Sequence, residues 1–300
     1  MEGLGNDFVV VDLRRGPVPA WLDDGAAIAR LCDRHRGVGA DGVLAILPPR
    51  PGVAAVARMR VRNADGSEAE MCGNGLRCVA RYLFEQAQPL PKDAAPPRWL
   101  AIETAAGVRR CELHLRPAPP ADPLAGCEIE IAMGAPALGR AAVPMLGPPE
   151  PCLDEPIQVG GETLRITAVS LGNPHAVIFV PAGVSGADLV ALARRIGPQL
   201  ESHPAFPQRT NVELCHQLTP EQLEVVVWER GCGITQACGT GACAVAVAAC
   251  RLGRAPLDRW LQLHLPGGAL GIRVLPAEQD VLMRGPARTV FWGHLPPPVA

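Results

Sequence analysis

Three hundred residues, 48% of them hydrophobic and only 19% charged, suffice for two compact lobes with substantial cores. A formal net charge of -2 supplies no basic field for nucleic-acid phosphates, and one Tyr with five Phe makes no base-stacking platform. The apolar runs, Ala242 to Cys250 among them, fall short of the roughly 20 residues of a membrane-spanning helix, and the Met1 end lacks a charged-then-apolar signal. A cytoplasmic protein with a small-molecule ligand, no nucleic acid and no membrane is therefore expected. Eleven cysteines, spread without the density of a disulfide scaffold, should be mostly free thiols there.

In chain order, Leu4-Gly5-Asn6 reads as a turn feeding the β-branched run Val9-Val10-Val11. Cys72-Gly73-Asn74-Gly75 comes next. After it Leu76, Val79, Ala80, Leu83 and Phe84 fall at helical spacing and predict a helix with one apolar face. Pro117 to Asp122 reads as a loop or linker and puts a lobe boundary near Gly126, and Pro144 to Pro156 reads as a surface loop. Strands are predicted at Leu164 to Val169, Leu223 to Trp228 and Leu261 to Leu265. Between them Leu171-Gly172-Asn173 repeats the first turn before Val177-Ile178-Phe179-Val180. Cys238-Gly239-Thr240-Gly241 then repeats the second tetrapeptide before Ala242 to Ala249, an Ala/Val-rich stretch that reads as a buried helix.

The two repeated signals are offset by 167 and 166 residues. Each match is weak alone, but agreement in order and spacing marks an internal duplication. The duplication predicts an α+β protein of two similar lobes related by pseudo-two-fold symmetry. Each lobe is a β-sheet wrapped round a central helix, with the active site in the cleft between them.

Both cysteines fall at a helix N-terminus, where unpaired N–H groups and the positive dipole end favour an anion, so each thiol is expected to ionise more readily. The adjacent glycines leave the backbone open to a carboxylate. Two such motifs facing one another suit stereoinversion: one thiolate removes an α-proton while the opposite thiol delivers another, and the N–H groups stabilise the carbanion's charge on the substrate carboxylate. No phosphate loop of Rossmann or P-loop spacing points to a nucleotide. Cys72 with Cys78 and Cys232 with Cys238 lack the close-spaced ligands of a zinc site, so no metal is expected. A permanent disulfide is disfavoured, though facing thiols can oxidise reversibly. Cys32, Cys111, Cys127, Cys152, Cys215 and Cys250, and with them Cys78, Cys232 and Cys243, read as core residues.

Gly3-Leu4-Gly5-Asn6-Asp7-Phe8, Asn63-Ala64-Asp65-Gly66-Ser67, Cys72-Gly73-Asn74-Gly75, Gly172-Asn173-Pro174-His175, Glu229-Arg230-Gly231 and Ala237-Cys238-Gly239-Thr240-Gly241 together resemble the diaminopimelate epimerase family over nearly the whole chain. The resemblance implies a two-lobed fold: residues 1–126 completed by a C-terminal strand at 285–300, and residues 127–284. It also implies interconversion of L,L- and meso-diaminopimelate without metal or pyridoxal phosphate, in lysine and peptidoglycan-precursor synthesis; a homodimer is compatible with it. Residue by residue, Cys72 and Cys238 match the acid/base pair, and Gly73, Asn74, Gly239 and Thr240 the carboxylate cradle. Asn6, Asn63, Asn173, Asn211 and Arg230 match the set that reads the distal end of the substrate, with Glu229 near an amino group. His175 and Glu229 match residues that adjust thiol pKa values, and a hydrogen-bonded structural role for His175 weighs equally.

The chain departs from the family at three places. Met1 stands just before Gly3-Leu4-Gly5, where members carry several more residues forming a strand, which leaves the edge of the first lobe open at this point. Ile234 replaces a Glu that the first copy keeps at Glu68, and Gly42 replaces a Gln. Two rival readings stay open: a proline racemase or hydroxyproline epimerase, whose ring substrate would leave Arg230 and the Asn set unpaired, and a non-catalytic binding protein on the same fold.

Overall fold

The computed structural model describes residues 1–69, 71–86, 99–115 and 127–294. The fold is mixed α/β, and the chain divides into two compact units: Met1–Ile129 with Pro286–Ala300, and Glu130–Gly285.

The first unit contains, in chain order, β1 (Glu2–Gly3), β2 (Asn6–Asp12), α1 (Gly25–Cys32), β3 (Gly42–Leu47), β4 (Ala57–Asn63), β5 (Glu68–Ala69), α2 (Gly73–Gln86), β6 (Trp99–Thr104) and β7 (Gly107–Leu115). β2 and β3 run parallel with Phe8 opposite Gly42, and β3 and β4 antiparallel with Gly42 opposite Asn63. β4 and β6 are parallel, and β6 and β7 antiparallel. β3 is buried at all six positions, as a strand covered on both faces must be. On one side Ile28 and Cys32 of α1 pack with Val43 and Ala45; α2 packs against the sheet as well.

The apolar face read for α2 is buried, and so is the opposite face with Arg77 and Arg81. Residues 286 and 287 cross that face and bring carbonyls that need donors. Arg77 Nε donates to the Pro286 carbonyl (3.0 Å) and Arg81 Nη1 to that of Ala287 (3.0 Å). The guanidinium fork lets one side chain bond at several points: Arg77 Nη2 also donates to Asn74 Oδ1 (2.9 Å), and Arg81 Nε to Glu85 (2.6 Å).

The chain passes to the second unit within β8 (Cys127–Ala132) and continues through β9 (Glu155–Val159), β10 (Glu162–Ser170), β11 (Pro174–Phe179), α3 (Ala187–Glu201), β12 (Asn211–Thr219), β13 (Gln222–Glu229), β14 (Gly233–Ile234), α4 (Gly239–Arg251), β15 (Leu261–Leu265), β16 (Gly268–Val274) and β17 (Val281–Pro286). Its pairings follow the same sequence: β11 and β12 parallel with His175 opposite Asn211, β12 and β13 antiparallel, β13 and β15 parallel, β15 and β16 antiparallel. Leu189, Ala193, Ile196 and Leu200 of α3 pack with Ile178, Val212, Leu214 and Val226. In α4 no side chain from Gly239 to Cys250 is larger than Val, so the surrounding strands close on it and Gly239 through Ala249 are all buried. Val245 and Val247, wholly buried, each contribute about 1.5–3 kcal/mol.

Some expectations need correction. Cys232 is exposed in the turn after β13 and Cys250 is partly exposed, so neither is a core residue, whereas Cys32, Cys78, Cys111, Cys127, Cys152, Cys215 and Cys243 are buried. Within the expected surface loop at 144–156, Cys152 is fully buried in the core beside Val143 and Ile166, its carbonyl accepting the Ala168 N–H (2.9 Å), and Glu155 and Pro156 already belong to β9. The final strand ends at Pro286; among the described residues beyond it only Arg288 pairs, in a bridge to Glu2. The linker read at Pro117 to Asp122 and the boundary near Gly126 lie outside the described residues, as do residues 295–300. No helix among the described residues is long and apolar enough to cross a membrane.

Candidate active site

In the first unit, Leu4 and Gly5 both take positive φ (57° and 79°), which turns the chain sharply into β2 and starts it at Asn6. Asn6 Nδ2 donates to Asp41 Oδ2 (2.7 Å) and its Oδ1 accepts from Asn74 Nδ2 (3.3 Å). Asn74, buried in the first turn of α2, is held by Arg77. Cys72 directly precedes that helix, and its Sγ accepts the Gly75 N–H at 3.3 Å. Asn63 ends β4 in an exposed corner, where its side chain donates to Ser67 Oγ (2.9 Å) and the following Ala64 N–H reaches the Asp41 carbonyl (3.0 Å). Asn6, Asn74 and Asp41 are thus directly linked, and Asn63 joins them through the backbone at Ala64. Gly42 has a reason of its own: a Cβ there would meet the Arg62 carbonyl oxygen at 2.6 Å, so β3 and β4 admit no side chain at that position.

In the second unit Cys238 is the N-cap of α4, and its Sγ accepts the Gly241 N–H at 3.4 Å. Sulfur thus replaces the oxygen of an ordinary capping side chain in both units. Thr240 Oγ1 lies 3.5 Å from Cys238 Sγ and accepts from Asn173 Nδ2 (3.2 Å). Asn173 Oδ1 is 2.9 Å from His175 Nε2, and His175 Nδ1 is 2.7 Å from Glu213 Oε1. Glu229 accepts the Thr235 hydroxyl (2.5 Å) and also hydrogen-bonds Cys238. Asn211 is spent on the backbone: Nδ2 donates to the Pro174 carbonyl (2.8 Å) and Oδ1 accepts the Arg230 N–H (2.9 Å), so it ties two loops together. The exposed Arg230 guanidinium donates to the Gln208 carbonyl (3.0 Å). Ile234, in the place of the family's Glu, packs against the α3 core.

The expected easy ionisation fails at Cys238. Burial pushes its thiol well above the ordinary range, and the carboxyl groups of Glu229 and Glu213 push it further; the Thr240 hydroxyl and Gly241 N–H oppose this only in part. A helix N-terminus is worth roughly 0.3–2 kcal/mol to an anion, less than the desolvation of a buried charge. Cys238 is therefore held as the neutral thiol. Burial also raises the Glu229 and Glu213 carboxyl pKa values. Glu213 escaped the sequence reading. Its one signal is a carboxylate inside the apolar run Val212-Glu213-Leu214.

A family model for diaminopimelate epimerase matches residues 1–116 and 167–290. The diaminopimelate epimerases of Moorella thermoacetica and Pelotomaculum thermopropionicum are 47% and 46% identical to the chain. The alignments cover 99% and 98% of it, and 98% and 97% of those proteins. Among solved structures, a probable proline racemase from Agrobacterium radiobacter aligns with a TM-score of 0.66 at 17% identity, covering 95% of this chain and 88% of that one. A hydroxyproline epimerase from Agrobacterium vitis gives 0.65 at 16%, covering 95% and 87%. Both support the mixed α/β fold. With a Cys-Gly-Xaa-Gly helix start in each unit and identity near one half over full length, the chain belongs to the diaminopimelate epimerase family.

Proposed function

We propose that this protein interconverts L,L- and meso-diaminopimelate as a cytoplasmic, pyridoxal-independent isomerase of lysine and peptidoglycan-precursor synthesis, with Cys72 and Cys238 as its acid and base. The observation that carries the reading is the repeated thiol geometry, each Sγ set on the N–H three residues on at 3.3 and 3.4 Å. In this reading the two units are lobes related by a pseudo-two-fold axis, and the substrate lies in the cleft between them. Cys238, kept protonated by its surroundings, supplies the proton, and Cys72, the more exposed thiol, takes one from the other face; the reverse reaction exchanges the roles. Backbone N–H groups at Gly73, Asn74, Gly239 and Thr240 hold the reacting carboxylate, where carbanion charge collects. Arg230 pairs with the distal carboxylate, and Asn6, Asn63, Asn173 and Asn211 shape the surrounding polar walls.

The test is a chiral assay in deuterium oxide with L,L-diaminopimelate and L-proline side by side. Turnover of diaminopimelate with one α-deuteron in the product is expected. Faster turnover of proline would assign the chain to the other chemistry.

A further inference from the structure

Under Cys238 the second unit holds a buried polar pair that the acid/base step itself does not use. Glu213 on β12 and His175 on β11 are both 0% exposed. Counting protons defines their state. Asn173 Oδ1 can only accept, so His175 Nε2, 2.9 Å away, carries a hydrogen. The 2.7 Å contact between Nδ1 and Glu213 Oε1 needs a second hydrogen, on either atom. The pair therefore holds two protons and is neutral as a whole. Asn173 gives an amide hydrogen to Thr240 Oγ1, which leaves the Thr240 hydroxyl proton free to be donated to Cys238 Sγ, 3.5 Å away. From His175 onward every donor points towards the sulfur.

The architecture does not require such a pair. In the first unit the matching register positions are Phe8, opposite Gly42 as His175 is opposite Asn211, and Leu44, two residues further along β3 as Glu213 is along β12. The match extends to contacts. A Cβ on Gly75 would meet Leu44 Cδ2 at 2.8 Å and Cys72 Sγ at 3.4 Å; one on Gly241 would meet Glu213 Oε1 at 2.9 Å and Cys238 Sγ at 3.3 Å. Leucine and glutamate thus fill the same place beneath the same helix start. Glu213 does so at a disadvantage, because its Oε2 is buried with no hydrogen-bond partner among the described residues.

We propose that Glu213 is a positioning residue for Cys238: by keeping a proton on His175 Nε2 it fixes the Asn173 amide, and with it the Thr240 hydroxyl, as donor to the thiolate that Cys238 becomes on giving up its proton. The inference rests on the acid/base reading of Cys238. Without Glu213, His175 can place its single proton on Nδ1; Asn173 then turns over, and Thr240 donates to Asn173 instead of to sulfur.

Nitrogen-15 NMR of histidine-labelled protein reads the first link without reference to activity. His175 Nε2 should carry the proton in wild type and in E213Q, whose amide can donate to Nδ1, and should lose that preference in E213L. In kinetics, E213L should lower kcat at least ten-fold with KM within two-fold, and E213Q should restore kcat to within about three-fold. H175F/E213L, which copies the first unit's apolar pair, should recover any thermal stability lost in E213L without recovering kcat. A wild-type His175 protonated only at Nδ1 overturns the proposal. So does a wild-type kcat in E213L, an E213Q as impaired as E213L, or a kcat that returns with stability in the double variant. If E213L does not fold, the wild-type and E213Q spectra and the E213Q kcat still decide. An active C238A would instead sink the acid/base reading and leave the NMR result standing.

Discussion

The two units place a cysteine in the same way and surround it differently. Below Cys72 the floor is apolar, with Phe8 and Leu44 at the positions that His175 and Glu213 occupy below Cys238. Cys72 is partly exposed and Cys238 buried. One scaffold therefore supports two thiols of different character. A helix start attracts an anion in both units, yet at Cys238 burial, with the Glu229 carboxyl beside it, outweighs it and keeps the proton on sulfur. The two helix starts share one capping geometry, and the floors beneath them differ in polarity.

The most severe challenge to this comparison is to remove either thiol. C72A and C238A should each lower kcat by about 10³-fold or more, measured with L,L-diaminopimelate, whereas C32A should alter stability more than rate; near-normal turnover in either mutant would end the two-base assignment. Exchanging the floors tests whether the first unit tolerates polarity. L44E buries a carboxyl in a site that is 0% exposed and should cost roughly 3 kcal/mol or more in urea unfolding; a neutral result would show that the apolar floor is not needed. R230A tests the substrate-reading role assigned to the second unit. Loss of a charge-assisted bond of about 1.5–3 kcal/mol should lower kcat/KM ten- to a hundred-fold, and unchanged kinetics would remove Arg230 from the site.

The smallest effect concerns the thiol itself. Because Glu229 raises the Cys238 pKa, E229Q should lower it and increase the alkylation rate of Cys238 at pH 8 by a few fold. Stability carries the same sign. A thiol whose folded pKa lies above its ordinary value near 9 binds its proton more tightly in the native state. Its contribution is complete below pH 9 and is lost as pH rises through the folded value. Urea melts of wild type and C238A should therefore differ by a constant amount below pH 9, and the wild type should lose stability relative to the mutant above it. A difference that grows in favour of wild type at high pH would contradict the assigned direction.

Legibility in the sequence followed the range of the interactions. The strands around Val9 to Val11, Leu164 to Val169, Leu223 to Trp228 and Leu261 to Leu265, and the helices α2 and α4, announce themselves through local pattern. Helices α1 and α3 do not. α1 has eight residues, too few for a periodic signal, and α3 contains Gly197-Pro198, a pair that argues against a helix. Gly197 is there because Trp228 lies against it: a Cβ would stand 2.5 Å from the indole. Asn211 was legible as a polar residue in a matched segment, but not its bonds to the Pro174 carbonyl and the Arg230 N–H, which depend on loops brought together by the fold.

The amino-acid sequence by itself determined where the two cysteines sit. A thiol capping the N–H three residues ahead, followed by glycines and a helix, is set by four consecutive residues and needs no distant partner. Only the tertiary structure decided what each thiol is. The buried arginines of α2 depend on carbonyls about 206 to 209 residues away, and the Cys238 proton depends on Glu213, Glu229 and Thr240 meeting around one sulfur. Hydrogen-bonded capping is a short-range property of the chain. Desolvation and the field of neighbouring charges belong to the packed interior, which no local pattern records.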